Sequence, residues 1–118
     1  MSSSLQPIKI YGQNGPNPPK IAMLARELSL PHEIIPQSFP SLKEPEFLAI
    51  NPNGRMPAVH DPNTGLTIWE SGAILEYLVE KYDTEHKMSF APGTDEYWHA
   101  KQWLFFQGTL TAIECREI

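Results

Sequence analysis

Asn51-Pro52-Asn53-Gly54-Arg55-Met56-Pro57-Ala58-Val59-His60, continuing through Asp61–Gly65 and Leu66–Trp69 to Glu70-Ser71-Gly72-Ala73-Ile74-Leu75, carries most of what this chain says about its architecture. The Asn51–Gly54 cluster is turn chemistry. Met56–His60 and Leu66–Trp69 are two short apolar runs. Asp61-Pro62-Asn63-Thr64-Gly65 joins them, which predicts a hairpin with a five-residue loop. Ser71 to Tyr82 then predicts a helix, with Ile74, Leu75, Leu78 and Tyr82 on one face.

Towards the N-terminus, Ile8–Tyr11 reads as a strand and Gly12–Pro16 as a loop. Asn17 suits a helix N-cap and Pro18 the first helical position. Ile21, Leu24, Ala25 and Leu28 follow at helical spacing, and Pro31 is expected to stop that helix. His32–Pro36 reads as a second strand, 37–45 as irregular, and Glu46–Ile50 as a turn or two of helix. The order β-α-β-(short α)-β-β-α is an α/β arrangement. It begins with a right-handed βαβ unit and ends as a small mixed sheet covered by helices. Residues 1–7 are expected to be a short disordered leader, 8–83 the domain and 84–94 a linker. Residues 95–118 are expected to hold a helix capped by Thr94 or Asp95, crowded with Tyr97, Trp98, Trp103, Phe105 and Phe106. That is more apolar surface than a lone surface helix normally carries.

With 118 residues and a net charge of −5, the chain is one domain's length and lacks the basic stripe of a nucleic-acid binder. No cluster of basic residues suggests an anionic membrane surface, and no run is long enough to span a bilayer. The single cysteine, Cys115, excludes an intrachain disulfide framework and argues against a cysteine zinc site. His32, His60, His86 and His99 show no metal-ligand spacing, so no metal is expected. Without a signal-like leader, the expected location is cytoplasmic.

Asn51–Val59 and Trp69–Leu75 together resemble the N-terminal, thioredoxin-like domain of glutathione transferases. Gly15-Pro16-Asn17-Pro18-Pro19-Lys20-Ile21 and Trp103-Leu104-Phe105-Phe106-Gln107 are similar to a fungal subgroup related to the yeast nitrogen-regulator prion protein. The resemblance covers roughly residues 8–110. It implies a thioredoxin-like βαβ-ββα fold followed by the first helix of an otherwise missing all-α C-terminal domain. It also implies glutathione as substrate, and a homodimer that buries surface beside Glu70-Ser71.

The same resemblance assigns roles to residues whose ordinary chemistry offers alternatives. Glutathione is a short extended peptide and pairs naturally with a strand edge. A cis bond at Pro57 would turn the Met56 backbone outward to make that pairing; otherwise Arg55-Met56-Pro57 is only a strand entry. Glu70 and Ser71 precede or open a helix whose first N–H groups suit a carboxylate. The family uses them for the γ-glutamyl end, although plain capping draws on the same groups. Asn17 is a helix cap on chemistry alone. In the resembled subgroup an asparagine stands here, where its amide can donate to the glutathione thiolate and lower a thiol pKa of about 8.5. Arg55 matches a binding position, and Lys43 is a second basic candidate for the glycine carboxylate. The segment around Leu42-Lys43 departs from the subgroup, which has a histidine nearby. No Cys-x-x-Cys occurs, and the first loop lacks the tyrosine, serine or cysteine many transferases use; Tyr11 is read as structural.

Conjugation of glutathione to an electrophilic small molecule is the expected activity. The alternatives are glutathione-dependent reduction of a peroxide or disulfide, and a non-catalytic glutathione-binding or regulatory module built on a truncated transferase.

Overall fold

The computed structural model describes residues 4–117, with side chains described through Gly108. Residues 1–3 of the expected leader, Ile118 and the side chain of Cys115 lie outside the described residues. The elements run β1 (Ile8–Tyr11), α1 (Pro18–Glu27), β2 (His32–Ile35), α2 (Pro45–Leu48), β3 (Ala58–Asp61), β4 (Leu66–Trp69), α3 (Ser71–Tyr82) and α4 (Asp95–Glu117). The strands form one sheet in the order β2-β1-β3-β4. β1 and β2 are parallel, joined across α1, while β3 is antiparallel to both β1 and β4. This is the thioredoxin-like βαβ-ββα arrangement.

The two faces of the sheet bury different sets, as strand alternation requires. Ile8, Ile10 and Val59 face α1 and α3, where Ile21, Ala25, Ile74 and Leu78 complete the main core. Ala58 faces the other way onto Leu42 and Phe47, with Tyr11, Ile50 and Met56 packed around them. Tyr11 is thus a packing residue.

Several local expectations shift. α1 stops at Glu27, before Pro31, because Ser29 adopts a left-handed φ of 55° and the Leu30 N–H bonds the Ala25 carbonyl at 2.8 Å. The irregular segment contains a 3-10 turn at Pro40–Lys43. Asp61 belongs to β3, so the hairpin loop is 62–65, one residue shorter than expected. The leader is not wholly loose: Leu5 packs on the core, and Gln6 exchanges two hydrogen bonds with Asn63, at 2.8 and 3.0 Å.

Asp83 is buried and organises the start of the linker. It accepts from the backbone N–H groups of Lys87 and Met88 and from the Ser89 hydroxyl, at 2.7–2.9 Å. Thr94 caps α4 by accepting the Tyr97 N–H at 3.2 Å. Lys101 pairs with Glu76 and lies over the Tyr97 ring, which fastens α4 to α3. Trp98, Trp103, Phe105 and Phe106 remain more than half exposed. Among the described residues no helix is long and apolar enough to cross a membrane.

Candidate glutathione site

Strand register gathers the candidate residues. Tyr11 pairs with Ala58, and Ala58 with Trp69. The loop after Tyr11, the residues before Ala58 and the residues after Trp69 therefore all emerge at one end of the sheet. Asn17, Arg55-Met56-Pro57 and Glu70-Ser71 sit on those three segments.

Met56 occupies the middle of this end. Its bond to Pro57 is cis. Its side chain packs on the Leu42–Phe47–Ala58 cluster, and Gly12, the first residue after β1, lies against it. Asn51 shapes the loop leading in. It is buried, donates from Nδ2 to the Arg55 carbonyl at 2.7 Å, and accepts the Asn53 N–H at 2.8 Å. Asn51→Ala is expected to cost about 1 kcal/mol, because it removes two part-buried hydrogen bonds that shape the loop. Urea unfolding checks this; a loss below about 0.5 kcal/mol would contradict it.

Arg55 is exposed. Lys43 is drawn elsewhere: its Nζ donates to the Gly54 carbonyl at 3.0 Å, so it braces the loop.

The two helix starts at this end share an unexpected trait. Asn17 precedes α1, but its backbone is already helical (φ −88°, ψ −45°) and its side chain makes no capping bond. A capping residue normally sits in the extended region, from which the side chain can reach back. The expected Asn17 cap is therefore not formed. Glu70 stands at the start of α3 with φ 81° and also makes no side-chain cap, and Ser71 is already the first helical residue. A left-handed φ at a non-glycine residue costs about 1–3 kcal/mol and is concentrated at functional positions. α4, by contrast, is capped by Thr94.

Sequence reasoning missed Lys20 and Gln107. Lys20 Nζ donates to Gln107 Oε1 at 2.7 Å, joining α1 to α4. Burial pushes the Lys20 ammonium pKa down, and the charge of Glu70 opposes that shift. Both residues lie in stretches quoted above for their resemblance, but nothing local signals a contact across 87 positions.

A recess of about 240 Å³ adjoins this end, lined by Gly12, Gln13, Pro18, Met23 and Ile34 among others. A larger, mostly apolar groove of about 630 Å³ lies between α3, the linker and α4, and contains none of the candidate residues. The candidate site is distinguished by converging backbone and polar groups rather than by groove size. Among the described residues no group of three or more His, Cys, Asp or Glu could hold a metal ion.

Residues 6–80 match the family model described as "Glutathione S-transferase, N-terminal domain". A glutathione S-transferase-like protein of Aspergillus terreus, gedE, is 61% identical over 107 residues, covering 91% of this chain and 47% of the relative. The tpcF protein of Aspergillus fumigatus, also glutathione S-transferase-like, is 55% identical, covering 89% and 47%. The chain thus spans about half the length of these relatives. Among solved structures, a glutathione transferase homolog of Lodderomyces elongisporus with two GSH per subunit superposes with a TM-score of 0.83 at 41% identity, covering 87% of this chain and 50% of that one. A glutathione transferase of Phanerochaete chrysosporium in complex with oxidized glutathione gives 0.82 at 46%, covering 92% and 50%.

Proposed function

Because the chain belongs to the glutathione S-transferase family through its N-terminal domain, we propose that it binds glutathione across Met56 and the starts of α1 and α3, and conjugates the thiol to an electrophilic small molecule. The observation that carries this reading is the start of α3, which has no side-chain cap at the Met56 end of the sheet. Its first free N–H groups suit an anion; α1 opens on Pro18-Pro19, which carry no N–H, and its Lys20 N–H bonds the Asn17 carbonyl at 3.1 Å, so that helix start offers the Asn17 side chain instead. In this reading the ligand's cysteinyl backbone pairs with Met56 as an added strand. The first turn of α3 and the Ser71 hydroxyl take the γ-glutamyl carboxylate, and Glu70 takes the ammonium. Arg55 meets the glycine end; Lys43 supports it indirectly through Gly54. Asn17 donates its amide to the thiolate, whose sulfur lone pair forms the new bond to the electrophile; the bonding pair displaced there leaves with the leaving group or, in an addition, passes to the electrophile's acceptor atom, which solvent protonates. The assembly is a homodimer in the cytoplasm.

Asn17→Ala tests the mechanism. Loss of one hydrogen bond to the thiolate is expected to lower kcat/KM for a generic electrophile by about tenfold to a hundredfold. Affinity for S-methylglutathione should stay within about threefold, since the carboxylates and backbone pairing are untouched. Normal turnover by the variant, with glutathione binding intact, would rule out Asn17 as the activating group.

A further inference from the structure

Lys20 has no role in the reading above, yet it is held at the same end of the molecule. It follows Asn17 by three positions, so the two share a face of α1. Helical side chains lean towards the N-terminus, which carries the Lys20 stem back over the Asn17 turn. Its ammonium is fixed by the neutral amide oxygen of Gln107 at 2.7 Å. Among the described residues no carboxylate lies within ion-pairing distance of it. Glu70 is the charged neighbour that acts on it, and does so from further away. The cation is therefore placed but not neutralised by direct contact.

We propose that Lys20 supplies the positive charge that stabilises the thiolate of bound glutathione, with Gln107 of α4 as the residue that positions it. The inference rests on the glutathione reading of the site. Asn17 gives one directed hydrogen bond; Lys20 adds charge, and a charge acts on the thiolate without itself taking the proton. The proton leaves to solvent as the thiolate forms, and the sulfur–electrophile bond is made in the later step.

The test is a thiol titration of bound glutathione by ultraviolet thiolate absorbance, in the full chain, in wild type, Lys20→Met and Lys20→Arg. Lys20→Met should raise the bound thiol pKa by about half to one unit, since it removes one nearby opposite charge. Lys20→Arg should restore most of the shift. S-methylglutathione, which has no thiol to ionise, should bind Lys20→Met and wild type within about threefold. An unchanged thiol pKa in Lys20→Met overturns the proposal while leaving the glutathione site standing. A tenfold loss of S-methylglutathione affinity also overturns it, because Lys20 would then be serving a carboxylate. If wild type binds neither ligand, the site reading itself falls and takes the proposal with it.

Discussion

Asp61→Ala is expected to lower the unfolding free energy by about 3–5 kcal/mol, a large share of what a domain this size possesses. Asp61 is fully buried at the end of β3. Its carboxylate accepts the hydroxyls of Tyr77 and Tyr82, each at 2.6 Å, and the backbone and side-chain N–H groups of Asn63 at 2.9 and 3.0 Å. Truncation removes the shared acceptor: the Tyr77 hydroxyl retains Thr64 Oγ1 at 2.8 Å, while the Tyr82 hydroxyl and the Asn63 backbone N–H lose theirs. Burial alone would raise the Asp61 pKa; the hydrogen bonds from Tyr77, Tyr82 and Asn63 outweigh it, and the net shift is downward. A depressed carboxylate pKa contributes stability above the unfolded value of about 3.9 and loses it as pH falls through the folded value. The gap between wild type and Asp61→Ala, followed by urea unfolding, should be constant near neutrality and narrow below about pH 4. A gap under about 1 kcal/mol at neutral pH, or one that does not narrow in acid, would contradict this account.

Gly12→Ala is expected to damage stability and ligand binding together. Gly12 has φ 117°, and a Cβ there would lie 2.5 Å from the Met56 Cβ and 2.9 Å from its Sδ. The first contact is with an atom fixed to the backbone, so a rotamer change does not relieve it. Strain at this φ plus the collision should cost about 3 kcal/mol. The displaced strand entry is the one proposed to pair with glutathione, so affinity should fall by at least about tenfold under conditions where the variant is folded. Calorimetric titration beside thermal unfolding separates the two effects. Gly65→Ala is the control: φ is also positive, at 79°, but nothing lies within 4 Å of the added carbon. It should lose only the smaller backbone-strain contribution and leave binding unchanged.

These two sites mark the limit of what local sequence pattern reveals. The helix of Ser71–Tyr82, the hairpin and the Pro18 start are local facts of spacing and backbone chemistry, and they were legible. Asp61 looked like a turn residue because its partners, Tyr77 and Tyr82, lie 16 and 21 positions away and arrive only when α3 folds back on the sheet. Lys20 and Gln107 meet across a still longer interval. Asn17 shows the opposite failure: local chemistry favoured a cap, and the helix geometry around Pro18 left its amide out of one. The candidate site was legible chiefly because the resemblance named its residues; their shared position follows from strand register, which a linear pattern does not display.

The ends of the sheet also differ in a way that bears on handling the protein. Gln6 is bonded to Asn63 in the hairpin loop, beside the Asp61–Leu66 pair, whereas the Tyr11–Ala58–Trp69 row lies three residues away, roughly 10 Å along the strands. A tether attached ahead of Gln6 would therefore leave from the end of the sheet opposite the proposed glutathione site. Anchored to a bead or sensor chip by that route, the molecule would stand with its ligand-accepting end towards the solution.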